Sequence, residues 1–391
     1  MKIRSLDQKK DWRGKKVLLR VDFNLPIKNN KLGEDFRILS ALPTINFLVK
    51  KGAAVIIISH WGDPKKGDQS LSTKRLASHL SKLSQLKVKF IPDIVGEKAL
   101  KAAAALKSGE IIFLENLRFH AGEKKNDHKF AQSLAALADV YVNEAFSVCH
   151  RKQASVVAIS DYLPTFAGLQ LVAEITNLQK VTKGIKPLVV VMGGSKISTK
   201  APLIKKLYHR SHKILIGGAL ANTFLKERGL EIGRSLFDQG SKKEVGAFFK
   251  NNKLQNKITL PLDVVVKDRK GNSRYCLVAD VKKSDTILDV GPATIALFSV
   301  YLKKAQTIIW NGPLGKFEES PYKHGTLAIA TIIAARSTGR AFGLVGGGET
   351  IAALKLTKME SNVDWISTAG GAMLAYLGGE DLPGLKNIIL K

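Results

Sequence analysis

The chain has 391 residues, 45% of them hydrophobic and 24% charged, with a formal charge of +29 at neutral pH. That length exceeds one ordinary hydrophobic core and predicts two domains, while no apolar run approaches the ~18 residues that a helical membrane span requires. The positive charge is scattered as lysine doublets, from Lys9 and Lys10 to Lys303 and Lys304, which predicts a solvated surface with a long-range pull on anions and no specific nucleic-acid partner.

Two cysteines, Cys149 and Cys276, make no disulfide framework, and the first ten residues lack the apolar core of a secretory signal. A reducing cytoplasm is the expectation. Cys149 precedes His150, but adjacent residues seldom face one another, so a structural thiol is a plainer reading than a nucleophile.

Along the chain, residues 17–26 (VLLRVDFNLP) form an apolar run that presents Asp22 and Asn24. A strand over 16–23 would put both on one face and Phe23 on the other, with Pro26 stopping the ladder. An Asx turn closing a strand explains the pair as well as a site does. Further strands are predicted over 53–59, 88–91, 110–115 and 139–145, then over 188–192, 213–216, 262–266, 307–310, 341–345 and 364–367. Apolar residues at helical spacing mark 72–85, 97–107, 201–210, 219–228 and 294–304, with Gly52, Gly109 and Gly229 as expected C-caps. This alternation predicts an α/β protein of two Rossmann-like lobes, each a parallel sheet wrapped by helices. Residues 169–184 read as a hinge helix joining an N-terminal lobe, 1–168, to a C-terminal lobe, 185–376.

Ligands of open α/β sheets bind beyond the carboxyl ends of the strands. In the first half those ends carry Asp22 and Asn24, His60 and Asp63, Arg118, and Arg151 beside His150, with Arg37 opening a helix nearby. Each alone reads as a structural residue; together they suit a small, multiply charged anion. In the second half the ends are glycine-rich at four places, 192–200, 216–219, 311–313 and 346–350, and 367–371 has the same helix-leading form as the last. Glycine lets a backbone approach phosphate, and a helix N-terminus offers free amides. Neither GxxxxGK[ST] nor GxGxxG occurs, yet four such turns with Lys196 and Lys200 four residues apart point to a nucleotide.

These residues lie in stretches that resemble the phosphoglycerate kinase family over essentially the whole chain: 20–26 (RVDFNLP), 41–45 (ALPTI), 115–126 (ENLRFHAGEKKN), 192–200, 310–318 (WNGPLGKFE) and 346–350. The resemblance implies reversible phosphoryl transfer between ATP and 3-phosphoglycerate, giving ADP and 1,3-bisphosphoglycerate, in a cytoplasmic monomer that uses Mg²⁺ and closes about its hinge. A segment from about 377 to 391 is then expected to pack back on the N-terminal lobe. It implies a phosphoglycerate site at Asp22, Asn24, Arg37, His60, Asp63, Arg118 and Arg151. The implied nucleotide site comprises Lys200, Gly291, Asn311, Glu318, Gly347, Gly348, Glu349 and Thr350, with Glu349 near the metal. Arg37, Lys196, Lys200, Gly370 and Gly371 are the implied stabilisers of the group in flight. The chain departs from the family pattern at Asp63 (an arginine in SHLGRP), Gln153 (a histidine in HRAHAS), Glu349 (usually Asp) and Ala369 (a glycine in STGGGA). A relative that binds nucleotide with weakened catalysis is the alternative reading.

Overall fold

The computed structural model describes residues 2–28, 31–33, 35–65, 68–195, 200–250 and 256–390. Contacts divide the chain into two units, Met1–Thr176 with Asp381–Lys391, and Asn177–Glu380.

The first unit is built on six parallel strands in the order Val88–Ile91, Ile111–Leu114, Ala54–Ile58, Lys16–Arg20, Val140–Asn143, Thr165–Ala167. Val17 and Leu19 join Ile45, Leu48 and Trp61 in one apolar cluster, while Leu18 joins Ile56 and Ile58 in another. A strand buried on both faces needs an unbroken apolar run, and VLL supplies it. At the chain's far end, strand Ile389–Leu390 pairs antiparallel with Lys2–Ile3, and the Gly384 amide donates to the Cys149 carbonyl at 2.9 Å.

The second unit repeats the scheme in the order Ile258–Thr259, Lys213–Ile216, Leu188–Met192, Thr307–Asn311, Phe342–Gly346, Trp365–Ser367. The run expected at 262–266 is instead strand Asp263–Lys267 in a separate antiparallel sheet, between Ser273–Leu277 and Thr286–Val290. Its valines resemble those of a parallel strand, and nothing local distinguishes the two.

Two expectations at element ends fail for physical reasons. The strand begun at Lys16 stops at Arg20, because the Phe23 amide turns to the Ser59 hydroxyl (3.1 Å) and the Asn24 amide to the Asp22 carboxylate (3.1 Å). The alternation nevertheless persists, with Val21, Phe23 and Leu25 buried and Asp22 and Asn24 half-buried. Gly109 does not cap a helix: Glu97–Ala105 has ended at an extended Leu106, and Gly109 (φ +81°) turns to donate to the Ala53 carbonyl at 3.0 Å. Gly52 and Gly229 do follow helix C-caps with positive φ.

Helix Leu169–Thr182 starts in the first unit, and side chains there take up its leading amides, which have no partner within the helix. The Leu169 amide donates to Thr44 Oγ1 at 2.8 Å, and those of Gln170 and Leu171 donate to Glu144 at 3.2 Å each. The Thr44 hydroxyl donates to the same carboxylate. Burial pushes the Glu144 carboxyl up to about 8, against the pull of that hydroxyl and the two amides. Gly168 is obligatory, since a Cβ there would lie 2.0 Å from Glu144 Oε2. Thr44→Val keeps the shape but removes one donor and one acceptor from this cluster. It should lower unfolding stability by about 1–3 kcal/mol, read as a reduced urea midpoint with unchanged slope.

Candidate active site

Four loops leaving strand carboxyl ends converge in the first unit. Asp22 pairs with Arg37, accepts from the Ser147 hydroxyl, and has Oδ1 3.9 Å from His60 Nε2. Burial alone would raise its carboxyl; Arg37 foremost, then His60, Ser147 and Arg20, hold it well below the usual range. Asn24 fixes the neighbouring loop, its Oδ1 accepting from the Gly62 amide at 2.8 Å.

Behind His60 lies Arg20, fully buried in the strand. Its Nε donates to Ser155 Oγ at 2.9 Å and one terminal nitrogen lies 3.1 Å from His60 Nδ1. Ser155 in turn donates to Glu123 Oε1 at 2.6 Å, which stands 4.0 Å from the guanidinium. A guanidinium has only donors, so Nδ1 of His60 must accept and the ring proton sits on Nε2. Burial, with Arg20, Arg118 and Arg151, pushes the imidazole well below its ordinary value despite Asp22. His60 is therefore a neutral hydrogen-bond donor.

Arg118 donates to the Gly62 carbonyl, and its Nε is buried without a partner, as are His150 Nδ1 and Gln153 Oε1. Arg151 is exposed beside His150. Asp63, also exposed, pairs with Lys124, which with Arg118 and Arg151 holds its carboxyl low. Sequence reading missed Arg20, Glu123, Ser155 and Lys124. Arg20 did carry a signal, because an arginine within a doubly buried strand cannot remain unpaired.

In the second unit, strand ends meet backbone to backbone. A Cβ on Gly193 would lie 1.9 Å from the Pro313 carbonyl, and one on Gly312 (φ +92°) 2.4 Å from that of Gly193. Lys200 is buried there and donates to the Gly193 carbonyl. Burial pushes its ammonium down to about 8, with Glu349 pulling the other way. Asn311 donates to the Gly346 carbonyl at 2.7 Å, and Thr350 Oγ1 accepts from the Gly312 amide at 2.7 Å, so both tie strand ends together.

A cavity of about 310 Å³ opens beside this junction, lined by Gly194, Gly218, Glu318 and Glu349 among others. Its apolar wall comes from Leu236, Pro261, Val264, Ile287 and Val290, residues of loops and of the antiparallel sheet that carried no motif. Gly347 (φ +100°) precedes helix Gly348–Leu356, whose first turn carries the exposed Glu349. Gly291 lies outside the lining: it caps helix Pro292–Lys304, and a Cβ there would meet the Asp263 carboxylate at 2.4 Å. Gly370 (φ +47°) precedes helix Gly371–Leu377, with open space where a Cβ would be. Lys196 lies outside the described residues. Among those described, no three His, Cys, Asp or Glu side chains group to hold a metal ion.

Known proteins share both the motifs and this architecture. A family model for phosphoglycerate kinase matches residues 7–380. A phosphoglycerate kinase of Wolbachia pipientis is 40% identical over 385 residues, covering 97% of each chain, and one of Pseudothermotoga lettingae is 43% identical over 390, covering 97% of this chain and 96% of its own. The solved phosphoglycerate kinase of Coxiella burnetii superposes with a TM-score of 0.86 at 36% identity, covering 99% of both chains. With a family model spanning nearly its full length, this chain belongs to the phosphoglycerate kinase family.

Proposed function

We propose that the chain catalyses reversible phosphoryl transfer between ATP and 3-phosphoglycerate. The observation that carries the reading, given the family, is the gathering of Arg37 and His60 at Asp22, with Arg118 and Arg151 close enough to act on His60, at the strand ends of one unit. Asp22 would repel a phosphate, so it holds the glyceryl hydroxyl. His60, Arg118 and Arg151 take the anionic groups, Arg118 through its unspent Nε–H. Asn24 keeps the His60–Asp63 loop in place.

The second unit supplies the nucleotide site. Its apolar wall seats the base, Glu318 takes the ribose, and the glycine turns with Gly347, Gly348 and Thr350 admit the phosphates. Lys200 neutralises the group in flight, a role shared with Arg37, Lys196, Gly370 and Gly371; Asn311 and Gly291 act by holding strand and helix ends. The attacking carboxylate of 3-phosphoglycerate is ionised at neutral pH and needs no general base. In-line positioning and charge neutralisation remain as the protein's task, and they require the two half-sites to meet by closure.

Mg²⁺ fits this arrangement. It binds through one or two carboxylates plus substrate phosphates, and Glu349, exposed on the cavity lining, is the carboxylate that would hold it. When bound, the ion would neutralise charge on the substrate phosphates. Both half-sites come from one chain, so the acting unit is a monomer, and the two unpaired, buried cysteines suit a reducing cytoplasm.

An enzyme-linked assay with ATP, Mg²⁺ and 3-phosphoglycerate should show turnover; none at millimolar substrate would sink the reading, and nucleotide binding without transfer would favour a binding-only relative. Lys200→Ala should abolish the rate. In the intact protein the active form of Lys200 is the cation, and its depressed value means that charge is lost as pH rises. The kcat/KM for ATP, which reports the free enzyme, should therefore fall above about pH 8. Asp63→Arg removes a carboxylate from the anion crevice and adds a donor, offset by the nearby Lys124. The KM for 3-phosphoglycerate should drop roughly 3- to 10-fold with kcat little changed; an unchanged KM would show that Asp63 does not face the substrate.

A further inference from the structure

The edge of the second sheet opposite the glycine turns is basic. Strands Leu188–Met192, Lys213–Ile216 and Ile258–Thr259 lie side by side and run parallel, so their amino ends share one edge. Just before them in the chain stand Lys186, His212 and Lys257 respectively. The His212 amide donates to the Leu188 carbonyl at 2.7 Å and the Ile214 amide to the Lys257 carbonyl at 2.8 Å, which sets the three in a row. Helix Ala201–Tyr208 ends at the same edge, and the turn from it into strand Lys213–Ile216 adds His209 and Arg210.

These five side chains, with Ser211, line a cavity of about 230 Å³. No acidic side chain among the described residues lines it. A helix C-terminus by itself gathers cations against its free carbonyls, and one of the five is spent that way: Lys257 donates to the Tyr208 carbonyl at 3.0 Å. Lys213, just outside, is likewise taken by the Asn256 carbonyl at 2.7 Å. Lys186, Arg210 and both imidazoles make no hydrogen bond or ion pair through their side chains among the described residues. The imidazoles pack beside tyrosines, His209 at 5.1 Å from Tyr208 and His212 at 6.4 Å from Tyr301 between ring centres. Solvated lysines elsewhere on the surface need no partner; here the unspent donors converge on one concavity.

Like charges crowded around a hollow repel one another, and an anion bearing several charges relieves that repulsion. Arginine, lysine and imidazole N–H groups together suit phosphoryl oxygens, the arginine through two parallel bonds. The volume is below the ~300–1,000 Å³ of sites for drug-sized ligands, so the anion is small. None of the lining residues is shared with the cavity at the carboxyl edge. Helix Ala201–Tyr208, with Lys200 at its N-cap, spans the roughly 12 Å between that edge and this one.

We propose that this hollow is a second anion site, which binds a small, multiply charged phosphate of the size of pyrophosphate. Its existence is independent of the kinase reading. Calorimetric titration with pyrophosphate tests it at roughly 0.15 M salt, where distant surface charge is screened over about 8 Å. The intact chain is compared with Arg210→Gln/His212→Gln, two exposed positions outside the catalytic machinery, whose unchanged urea midpoint would show an intact fold. The unsubstituted chain should show a binding component whose affinity falls roughly ten-fold or more in the variant. Binding at the active-site cations, which the variant keeps, should stay the same. Lys186→Gln should weaken the same component. Identical isotherms for the two proteins, or no binding to either, would overturn the proposal. So would displacement of pyrophosphate from this component by a short single-stranded RNA at lower concentration, because the edge would then be a nucleic-acid surface. The titration needs no turnover, so failure of the transfer assay leaves this site standing.

Discussion

The guanidinium of Arg20 cannot reach water, and much of the first unit's chemistry follows from that confinement. A buried cation persists only when its donors are matched, and here they are matched by Ser155, by the Val21 carbonyl and by the ring of His60. Glu123 completes the arrangement through Ser155. The consequence passes outward. Because Arg20 takes Nδ1, His60 offers Nε2–H on the Asp22 side, and because both lie beyond one sheet's carboxyl edge, that offer faces the crevice. A charge buried in the strand thus determines the tautomer of a side chain at the site.

A second carboxylate does comparable work a few residues further along. Glu144 follows the strand Val140–Asn143, whose loop delivers Ser147, His150 and Arg151, and it also receives the first amides of the long helix that leaves this unit. Strand end, site loop and helix start therefore share one buried cluster with Thr44. The Cβ exclusion at Gly168 shows how little slack it has. Any displacement of that helix start must be accommodated within a few ångströms of the loop that carries the crevice cations.

How much of this was legible beforehand depended on the range of the interaction. Strands such as Leu188–Met192 and Lys213–Ile216 could be read to the residue because their signal is a local apolar run. Asp22 and Asn24 could be placed near a site, but whether they formed an Asx turn or a crevice wall was undecidable locally, and they do both: Asp22 caps the Asn24 amide with one oxygen and meets Arg37 and Ser147 with the other. Lys124 was opaque, since its pairing with Asp63 joins loops 61 residues apart. The antiparallel sheet was equally hidden, because a run of valines does not state the direction of its neighbours. Motifs pointed to polar candidates at each strand edge and were silent on the apolar cavity wall formed by Leu236, Pro261 and Val264.

Polar satisfaction then separates residues whose groups are spent on the fold from those that keep an atom unmatched. Asn311, Thr350, Asp289 and Gly291 stand among the glycine turns, yet their polar atoms or close approaches are spent on neighbouring backbone and side chains. Of the six unmatched buried side-chain atoms found among the described residues, three belong to Arg118, His150 and Gln153 in the crevice loops and one to Asn222 in the cavity wall. A folded chain seldom leaves such atoms unmet unless something else completes them. Gln153 illustrates the point where the family pattern has histidine: its amide is 6% exposed with Oε1 open, two residues from the Ser155 that carries the Arg20 network. By the same criterion Arg20 is a structural cation whose donors are matched, while Arg118 keeps one donor unmatched, although both are arginines at the edge of the same sheet.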